Sequence, residues 1–425
     1  MFSEKVILQV LAEQKEELRN YQTKRLVTRK EESLFDFEST QAQVVIGVRR
    51  SGKSTLCHKV LLEHAVEYAY VNLDDDRLAN LQTGDLNTVL SCVYQLYGTD
   101  FKYLFLDEIQ DVDGWYLFVN RLLRTDLHVF VTGSNAKLLS GELATHLSGR
   151  YNEIRLFPFS FSEYCCFHNV DTTGITTKAD AQRKRAFYDY INDGGFPEMQ
   201  KLRNKRGYVE SLIDAILTKD IKKRFKIRNV DALKKIAGHL INNSCQEVNY
   251  DNLSELFKMS DKTIQKYVSY LQQAFLIQLL PKHSFKSKER IRGDKSYIVD
   301  SGLQNNRTNS MAAENIGWRL ENVIYIELLR RCASDFLDVY YFKQAATGKE
   351  VDFVICDKNE ALELIQVSYD IDSKKTYERE TSSLVAASGL LKCDNLTLIA
   401  FADTRDVTIN GKTIHIKSAL EWLLA

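Results

Sequence analysis

Gly47-Val48-Arg49-Arg50-Ser51-Gly52-Lys53-Ser54-Thr55 fits the pattern GxxxxGK[ST]. An apolar run, Val44, Val45 and Ile46, precedes it, and a helix-compatible segment from Leu56 to Glu67 follows, so the stretch has the strand-loop-helix setting of a phosphate loop. Gly47 and Gly52 let the backbone curl until successive N–H groups point inward, and the following helix aims the positive end of its dipole at the same place. Gly47, Arg50, Ser51, Gly52, Lys53, Ser54 and Thr55 are therefore the candidate nucleotide-binding residues. Lys53 supplies a mobile charge for β- and γ-phosphates, and the Ser54 hydroxyl is a candidate Mg²⁺ ligand. The expected cofactors are ATP and Mg²⁺.

Composition frames the remainder. A chain of 425 residues divides into about two to four domains. With 44% hydrophobic residues, 27% charged and 3 prolines it has an ordinary globular composition. Lys+Arg and Asp+Glu both number 57, so no global field draws it to nucleic acid or membrane, and any basic surface must be local. No stretch approaches the roughly 18 apolar residues of a membrane span, and Met1 to Tyr21 is too charged for a signal peptide, so a cytoplasmic protein is expected. The 8 cysteines include no CxxC pair; they read as buried small apolar residues.

Along the chain, Glu4 to Asn20 carries Val6, Val10, Leu11 and Leu18 at helical spacing, a packing helix over the core. Ala69 to Leu73 reads as a strand ending in Asp74, Asp75 and Asp76, which form either a solvated loop or an aid to Mg²⁺ binding. Leu86 to Tyr97 has helical spacing. Tyr103 to Leu106 has strand character and delivers Asp107 and Glu108 to its end, as in a Walker B element. Asp107 is the second candidate metal ligand, and Glu108 the residue that polarises an attacking water. A third strand, Leu127 to Thr132, ends in Gly133, Ser134 and Asn135, placing Ser134 and Asn135 as sensor candidates between the other two strand ends.

Taken together, Gly47 to Thr55, Leu106-Asp107-Glu108, Thr132-Gly133-Ser134-Asn135 and Leu147-Ser148-Gly149-Arg150 resemble the bacterial and archaeal AAA-type P-loop ATPases that carry a C-terminal domain of unknown function. Phe157-Pro158-Phe159-Ser160-Phe161 with Glu163, Gly194-Gly195-Phe196-Pro197-Glu198 and Lys219-Asp220-Ile221 extend the resemblance over most of the chain. It implies an α/β fold: a parallel P-loop NTPase sheet with the phosphate-loop and Walker B strands on either side of the sensor strand, and a helical lid behind. It also implies that Arg150 contacts a γ-phosphate as an arginine finger or sensor; the alternative is pairing with an acidic neighbour. Acting in trans, Arg150 would require a homo-oligomer; acting in cis, it would not.

The expected segments are an N-terminal packing helix (1–30), the ATPase core (31–165), the lid (166–229), a winged-helix-like domain (230–295) and a nuclease-like α/β domain (296–425). The most basic stretch is 201–228, with Arg203, Lys205, Arg206, Lys222, Lys223, Arg224, Lys226 and Arg228. Tyr250 to Lys258, the turn Met259-Ser260-Asp261 and Lys262 to Phe275 fit helix-turn-helix spacing, with Thr263, Gln265 and Lys266 early on the second helix. Lys286, Lys288, Arg290 and Arg292 would form a charged wing. DNA contact through 201–228 and 251–295 is one reading; a protein partner or a plain lid is the other.

The last third resembles a degraded PD-(D/E)XK nuclease fold through Tyr297 to Leu303, Glu321, Glu350-Val351-Asp352-Phe353 and Ile365-Gln366-Val367-Ser368. Alternation puts Gln366 and Ser368 where a metal-binding acid and a lysine are needed, and turns Glu363 to the opposite face, so no nuclease activity is expected. Three functions remain open: an ATPase that rearranges the downstream module on a nucleic-acid or protein target, a nucleotide-dependent switch with negligible turnover, and an ATP-gated nuclease.

Overall fold

In a computed structural model the chain is described over residues 3–22, 26–64, 66–134, 147, 149–284, 293–307 and 316–425. It divides into two compact units, Met1–Leu156 with Gln273–Phe275, and Phe157–Gln272 with Leu276–Ala425. The lid stretch thus falls in the same unit as everything downstream of it, apart from Gln273–Phe275.

The first unit is built on five parallel strands, β1 (Ala42–Ile46), β2 (Tyr68–Asn72), β3 (Tyr103–Asp107), β4 (His128–Gly133) and β5 (Tyr151–Arg155), in the order β2-β3-β4-β1-β5. Such strands are covered on both faces and read as continuous apolar runs, and β1 is buried at every position. The helix Lys53–Glu63 packs Leu56, Cys57, Val60 and Leu61 against Val45, Tyr70, Phe105 and Phe130. The N-terminal helix Glu4–Glu17 packs on β2 and the helix Leu86–Tyr97. Its buried stripe is Ile7, Val10, Leu11 and Gln14. Val6, expected on that stripe, is 40% exposed, because the i, i+3, i+4, i+7 set that meets β2 begins one residue later.

The second unit joins helices Phe161–Phe167, Thr177–Asp193 and Lys205–Ala215 to two sheets. The basic helix Lys205–Ala215 continues as a π-helical stretch, Ile216–Lys222. Next come helix Val230–Asn242, β6 (Gln246–Glu247), helices Tyr250–Phe257 and Asp261–Gln273, β7 (Ile277–Leu280) and β8 (Lys295–Ile298), the three strands forming an antiparallel sheet of order β6-β8-β7. Lys286, Lys288, Arg290 and Arg292 lie outside the described residues. A six-stranded mixed sheet follows, comprising β9 (Asp338–Lys343), β10 (Glu350–Asp357), β11 (Glu360–Ser368), β12 (Leu396–Ala400), β13 (Arg405–Ile409) and β14 (Lys412–Ser418) in the order β13-β14-β12-β11-β10-β9. Helices Ile316–Asp335 and Lys374–Leu391 pack on it, the latter over Val351, Leu364, Leu396 and Leu398. Glu363 does face away from Gln366: it accepts a hydrogen bond from Thr397 Oγ1 at 2.6 Å. Seven of the eight cysteines are buried and Cys166 is exposed. Among the described residues no helix is long and apolar enough to cross a membrane.

Three of the motifs that carried the resemblance meet at one point. The Asp300 carboxylate accepts Gly195 N–H at 2.7 Å and Gly302 N–H at 2.9 Å, while Phe159 N–H donates to Gly195 O at 2.8 Å. A Cβ on Gly195 would stand 2.2 Å from Phe159 O, so only glycine lets these backbones approach. Burial pushes the Asp300 carboxyl up to about 7, against the two N–H groups that pull it down.

Gly195→Ala is expected to destabilise the second unit by about 2–3 kcal/mol in urea unfolding. Gly389→Ala, in the helix Lys374–Leu391 with nothing within 4 Å of its added methyl, is expected to stabilise it by about 0.5–1 kcal/mol. The raised Asp300 carboxyl keeps its proton in the fold up to pH about 7, while in the unfolded chain it ionises near 3.9. Its contribution to stability is therefore complete below about pH 4 and is lost as pH rises through 7. The thermal midpoint of the wild type should fall between pH 5 and 8 relative to Asp300→Asn; parallel curves would mean that Asp300 is ionised throughout.

Candidate active site

The parallel register brings three strand ends together. Ile46 lies beside Gly133 and Leu106 beside Val131, so the residues that leave β1, β3 and β4 emerge at one edge of the sheet. From β1 the chain enters the loop at Gly47, whose φ of 154° and whose missing Cβ, which would lie 2.1 Å from Leu156 O, admit no other residue. Arg50 takes φ 65° and is exposed, while Gly52, at φ 102°, opens the helix Lys53–Glu63. The loop is a cradle whose Ser51 Oγ is fully enclosed and, among the described residues, has no hydrogen-bond partner. An orphaned donor at the mouth of a helix N-terminus suits a phosphate oxygen. Lys53, 4% exposed, donates to Gly47 O and Val48 O at 3.2 Å each, and its Nζ lies 3.8 Å from Glu108 Oε1.

Opposite the loop, Asp107 is 3% exposed. Its Oδ1 accepts Ser54 Oγ–H at 2.9 Å and the Thr132 hydroxyl, and its Oδ2 accepts Tyr70 O–H at 3.1 Å. Burial and then the Glu108 charge push the Asp107 carboxyl up to about 6, while Thr132, Ser54 and Tyr70 pull it down. Ser54 and Asp107 thus present hard oxygen donors side by side, the chemistry that suits Mg²⁺. Glu108 sits in the left-handed region at φ 54°, its N–H donating to Thr132 Oγ1 at 3.1 Å and its Oε2 accepting Gln110 Nε2. Non-glycine residues rarely adopt this backbone, and here it turns the Glu108 carboxylate toward Lys53.

Residues 39–165 match a family model described as an AAA domain, and 184–313 and 317–417 match models of two domains of unknown function, DUF8612 and DUF4143. An uncharacterized protein of Methanocaldococcus jannaschii is 34% identical over 394 residues, 89% of this chain and 87% of that protein. The chain is an AAA-domain protein of the same family. An uncharacterized protein of Haemophilus influenzae is 32% identical over 409 residues, 92% of this chain and 97% of its own. Among solved structures, the Walker-type ATPase of Pyrococcus abyssi is similar over 65% of this chain and 95% of its own, at 15% identity and a TM-score of 0.42. The RuvB Holliday junction branch migration motor of Thermotoga maritima is similar over 57% of this chain and 82% of its own, at 17% identity and a TM-score of 0.29.

In this AAA-domain protein Gly47, Ser51, Gly52, Lys53, Ser54, Asp107 and Glu108 converge. Thr55 lies in the first turn of the loop's helix, and its hydroxyl meets Tyr21. Ser134 is buried just after β4, and Asn135 lies outside the described residues, as does Ser148. Arg150 is not brought to this edge. It precedes Tyr151, which pairs with Ala42, the first residue of β1, so five residues of strand, about 16 Å, separate it from its own phosphate loop. Asp74 of the acidic run stands 3.7 Å from Arg49, while Asp75 is committed to Arg77 through its N–H and guanidinium.

Sequence reasoning missed Thr132 as the link between Asp107 and Glu108, Tyr70 as an Asp107 donor, and Arg29, which is buried and donates to Ser51 O at 3.3 Å. Parallel pairing of β3 with β4 gives the signal for Thr132, since the residue after Val131 must stand beside the one after Leu106. Tyr70 sits two residues short of Asn72, the partner of Asp107, and so on the same face. No local pattern marks Arg29.

Thr132→Val keeps shape and β propensity but removes the hydroxyl that bridges Asp107 and the Glu108 N–H. It should weaken Mg²⁺-dependent binding of a fluorescent ATP analogue by about tenfold while leaving Mg²⁺-free binding within twofold. Equal losses in both conditions would show that the hydroxyl only supports the fold.

Proposed function

We propose that this AAA-domain protein is a Mg²⁺-dependent ATPase whose cycle rearranges the second unit on a nucleic-acid or protein target inside the cytoplasm. The observation that carries this reading is the 2.9 Å contact of Ser54 with Asp107, beside a lysine and a glutamate that face each other across the loop mouth. Lys53 would exchange the carbonyls of Gly47 and Val48 for β- and γ-phosphate oxygens. Ser54 would hold Mg²⁺ directly and Asp107 through its water shell; the ion, when bound, offsets phosphate charge. Glu108 would orient the attacking water and draw its proton, and Ser134 and Asn135 would sense the γ-phosphate. Arg150 fits this scheme as a finger presented to the site of a second copy, because its place at the far edge of β5 takes it away from its own loop.

The helix-strand-helix-helix-strand-strand order of 230–298 supports a winged-helix reading of that segment. Thr263 is engaged by the capping residue Ser260, whose Oγ accepts Thr263 N–H at 3.3 Å and lies 2.8 Å from the Thr263 hydroxyl, whereas Gln265 and Lys266 are exposed near the start of Asp261–Gln273. Within 201–228, Lys205 pairs with Asp193 at 2.5 Å, while Lys222, Lys226 and Arg228 are exposed. A DNA target would use these cations; a protein target would not require them.

A second reading, a nucleotide-dependent switch with negligible turnover, draws on Glu108 itself: one carboxylate oxygen is held by Gln110 and the other faces Lys53. Steady-state hydrolysis separates the two. Glu108→Gln should bind ATP as tightly as the wild type and turn over about 100-fold more slowly, and DNA should raise the wild-type rate if it is the target. Turnover per chain that increases with protein concentration would place Arg150 in trans. A wild type that binds ATP but hydrolyses it no faster than Glu108→Gln belongs to the switch.

A further inference from the structure

Where the three-stranded and six-stranded sheets of the second unit meet, a cleft of about 880 Å³ is lined by Lys295, Glu321, Glu350, Asp352, Gln366 and Glu380, among others. A working nuclease site of the kind this segment resembles needs a divalent ion held by carboxylates, which sets a requirement for the residues of the cleft. Lys295, on β8, extends into the carboxylate cluster with only 5% of its side chain exposed. Its Nζ stands 2.5 Å from Glu350 Oε1, 3.6 Å from Glu321 Oε1 and 3.8 Å from Asp352 Oδ1.

Other donors reach the same group of side chains. Glu321 Oε1 accepts Tyr297 O–H at 2.7 Å, and Asp352 Oδ2 accepts Val367 N–H at 2.9 Å. Gln366, at the expected acid position, accepts Asp352 N–H at 3.3 Å and donates to Glu380 Oε2 at 2.8 Å, while Arg379 Nε donates to Glu380 Oε1 at 3.0 Å. Among the described residues no group of three or more His, Cys, Asp or Glu side chains is disposed to hold a metal ion. A nuclease-type ion does not fit.

An ammonium does fit. Burial alone would discharge Lys295, but Glu321, Asp352 and Glu350 together outweigh it and hold its pKa above the ordinary lysine value. Burial pushes the Glu321 and Asp352 carboxyls up as well, and Lys295 pulls both down, so the ammonium and its carboxylates sustain one another's charge. The Tyr341 ring, 5.4 Å from the same Nζ, closes the remaining side.

We infer that Lys295 is a resident cation that takes the place of the divalent ion, so that the cleft is independent of metal and its carboxylates clamp β8 of the small sheet to β10 and to the helix Ile316–Asp335. The three-stranded sheet and the C-terminal sheet then move as one body. A backbone seam runs alongside the clamp, since Tyr341 N–H donates to Pro281 O at 3.1 Å and His283 N–H to Tyr341 O at 2.7 Å. None of this depends on whether the first unit hydrolyses ATP.

The test uses the full chain carrying Ser54→Ala, without nucleotide, with bound Mn²⁺ read by electron paramagnetic resonance. That parent should show no Mn²⁺ site sensitive to Asp352→Asn. Adding Lys295→Ala should create one, at least about tenfold tighter than any binding by the parent, and adding Asp352→Asn should remove it. If Lys295→Ala lowers the thermal midpoint, Mn²⁺ should restore it and NaCl of equal ionic strength should not. A parent that already binds Mn²⁺ through Asp352 overturns the inference, as does a Lys295→Ala protein that neither gains a site nor is rescued by Mn²⁺.

Discussion

A carboxylate buried at the end of a parallel strand has to find donors or lose its charge, and Asp107 finds three on three different elements: Ser54 on the helix after the loop, Thr132 on β4 and Tyr70 on β2. That single requirement fixes how β1, β3 and β4 terminate relative to one another. It also ties the loop to the Walker B strand: the helix that presents Lys53 is the helix that presents Ser54. A slip of one residue in β3 would turn Asp107 to the opposite face and leave the Ser54 and Thr132 hydroxyls without their acceptor. The same hydroxyl that satisfies Asp107 receives the Glu108 N–H, so the left-handed turn at Glu108 is held by the group that neutralises its neighbour.

The second unit solves a comparable problem twice, by different means. At Asp300 the buried carboxyl accepts the N–H groups of Gly195 and Gly302, and a Cβ on the neighbouring Gly194 would stand 1.7 Å from its Oδ1. At Lys295 three carboxylates are matched by one ammonium. The first joint binds the lid stretch to the turn after β8; the second binds β8 itself to the six-stranded sheet. Both lie within four residues of Tyr297, whose own hydroxyl donates to Glu321. The short segment from Lys295 to Gly302 therefore joins the lid stretch, the small sheet and the six-stranded sheet through two buried ionisable side chains.

What the sequence made legible follows from range. The phosphate loop, the Walker B strand and the helix Leu86–Tyr97 declare themselves because their chemistry and periodicity are written within a dozen residues. The order of the phosphate-loop, sensor and Walker B strands followed from resemblance, while the register is seen only in the structure. Val6 was misplaced because a helical stripe read from apolar residues alone cannot distinguish two adjacent faces when both carry a valine or isoleucine; Gln14, buried against the Asn72 backbone, is the residue that decides, and it is polar. Partners separated by long stretches were out of reach: Asp300 lies 105 residues from Gly195, and Lys295 comes from a different sheet than Glu350 and Asp352. Gln366 and Ser368 are local grounds for doubting a metal, whereas Lys295, which reaches the same cleft from β8, carries no local mark of that role.

Strand direction carries one more consequence. In a parallel sheet every strand enters at one edge and leaves at the other, so a residue just before a strand and a residue just after its neighbour are separated by the full strand length. Arg150 precedes β5 and Gly47 follows β1, and these strands pair from Ala42 with Tyr151 to Ile46 with Arg155. Rotating the Arg150 side chain cannot close a gap longer than the side chain itself. An arginine placed there can meet a γ-phosphate only if another molecule's loop is brought to that edge, so a catalytic Arg150 and a monomeric enzyme exclude each other.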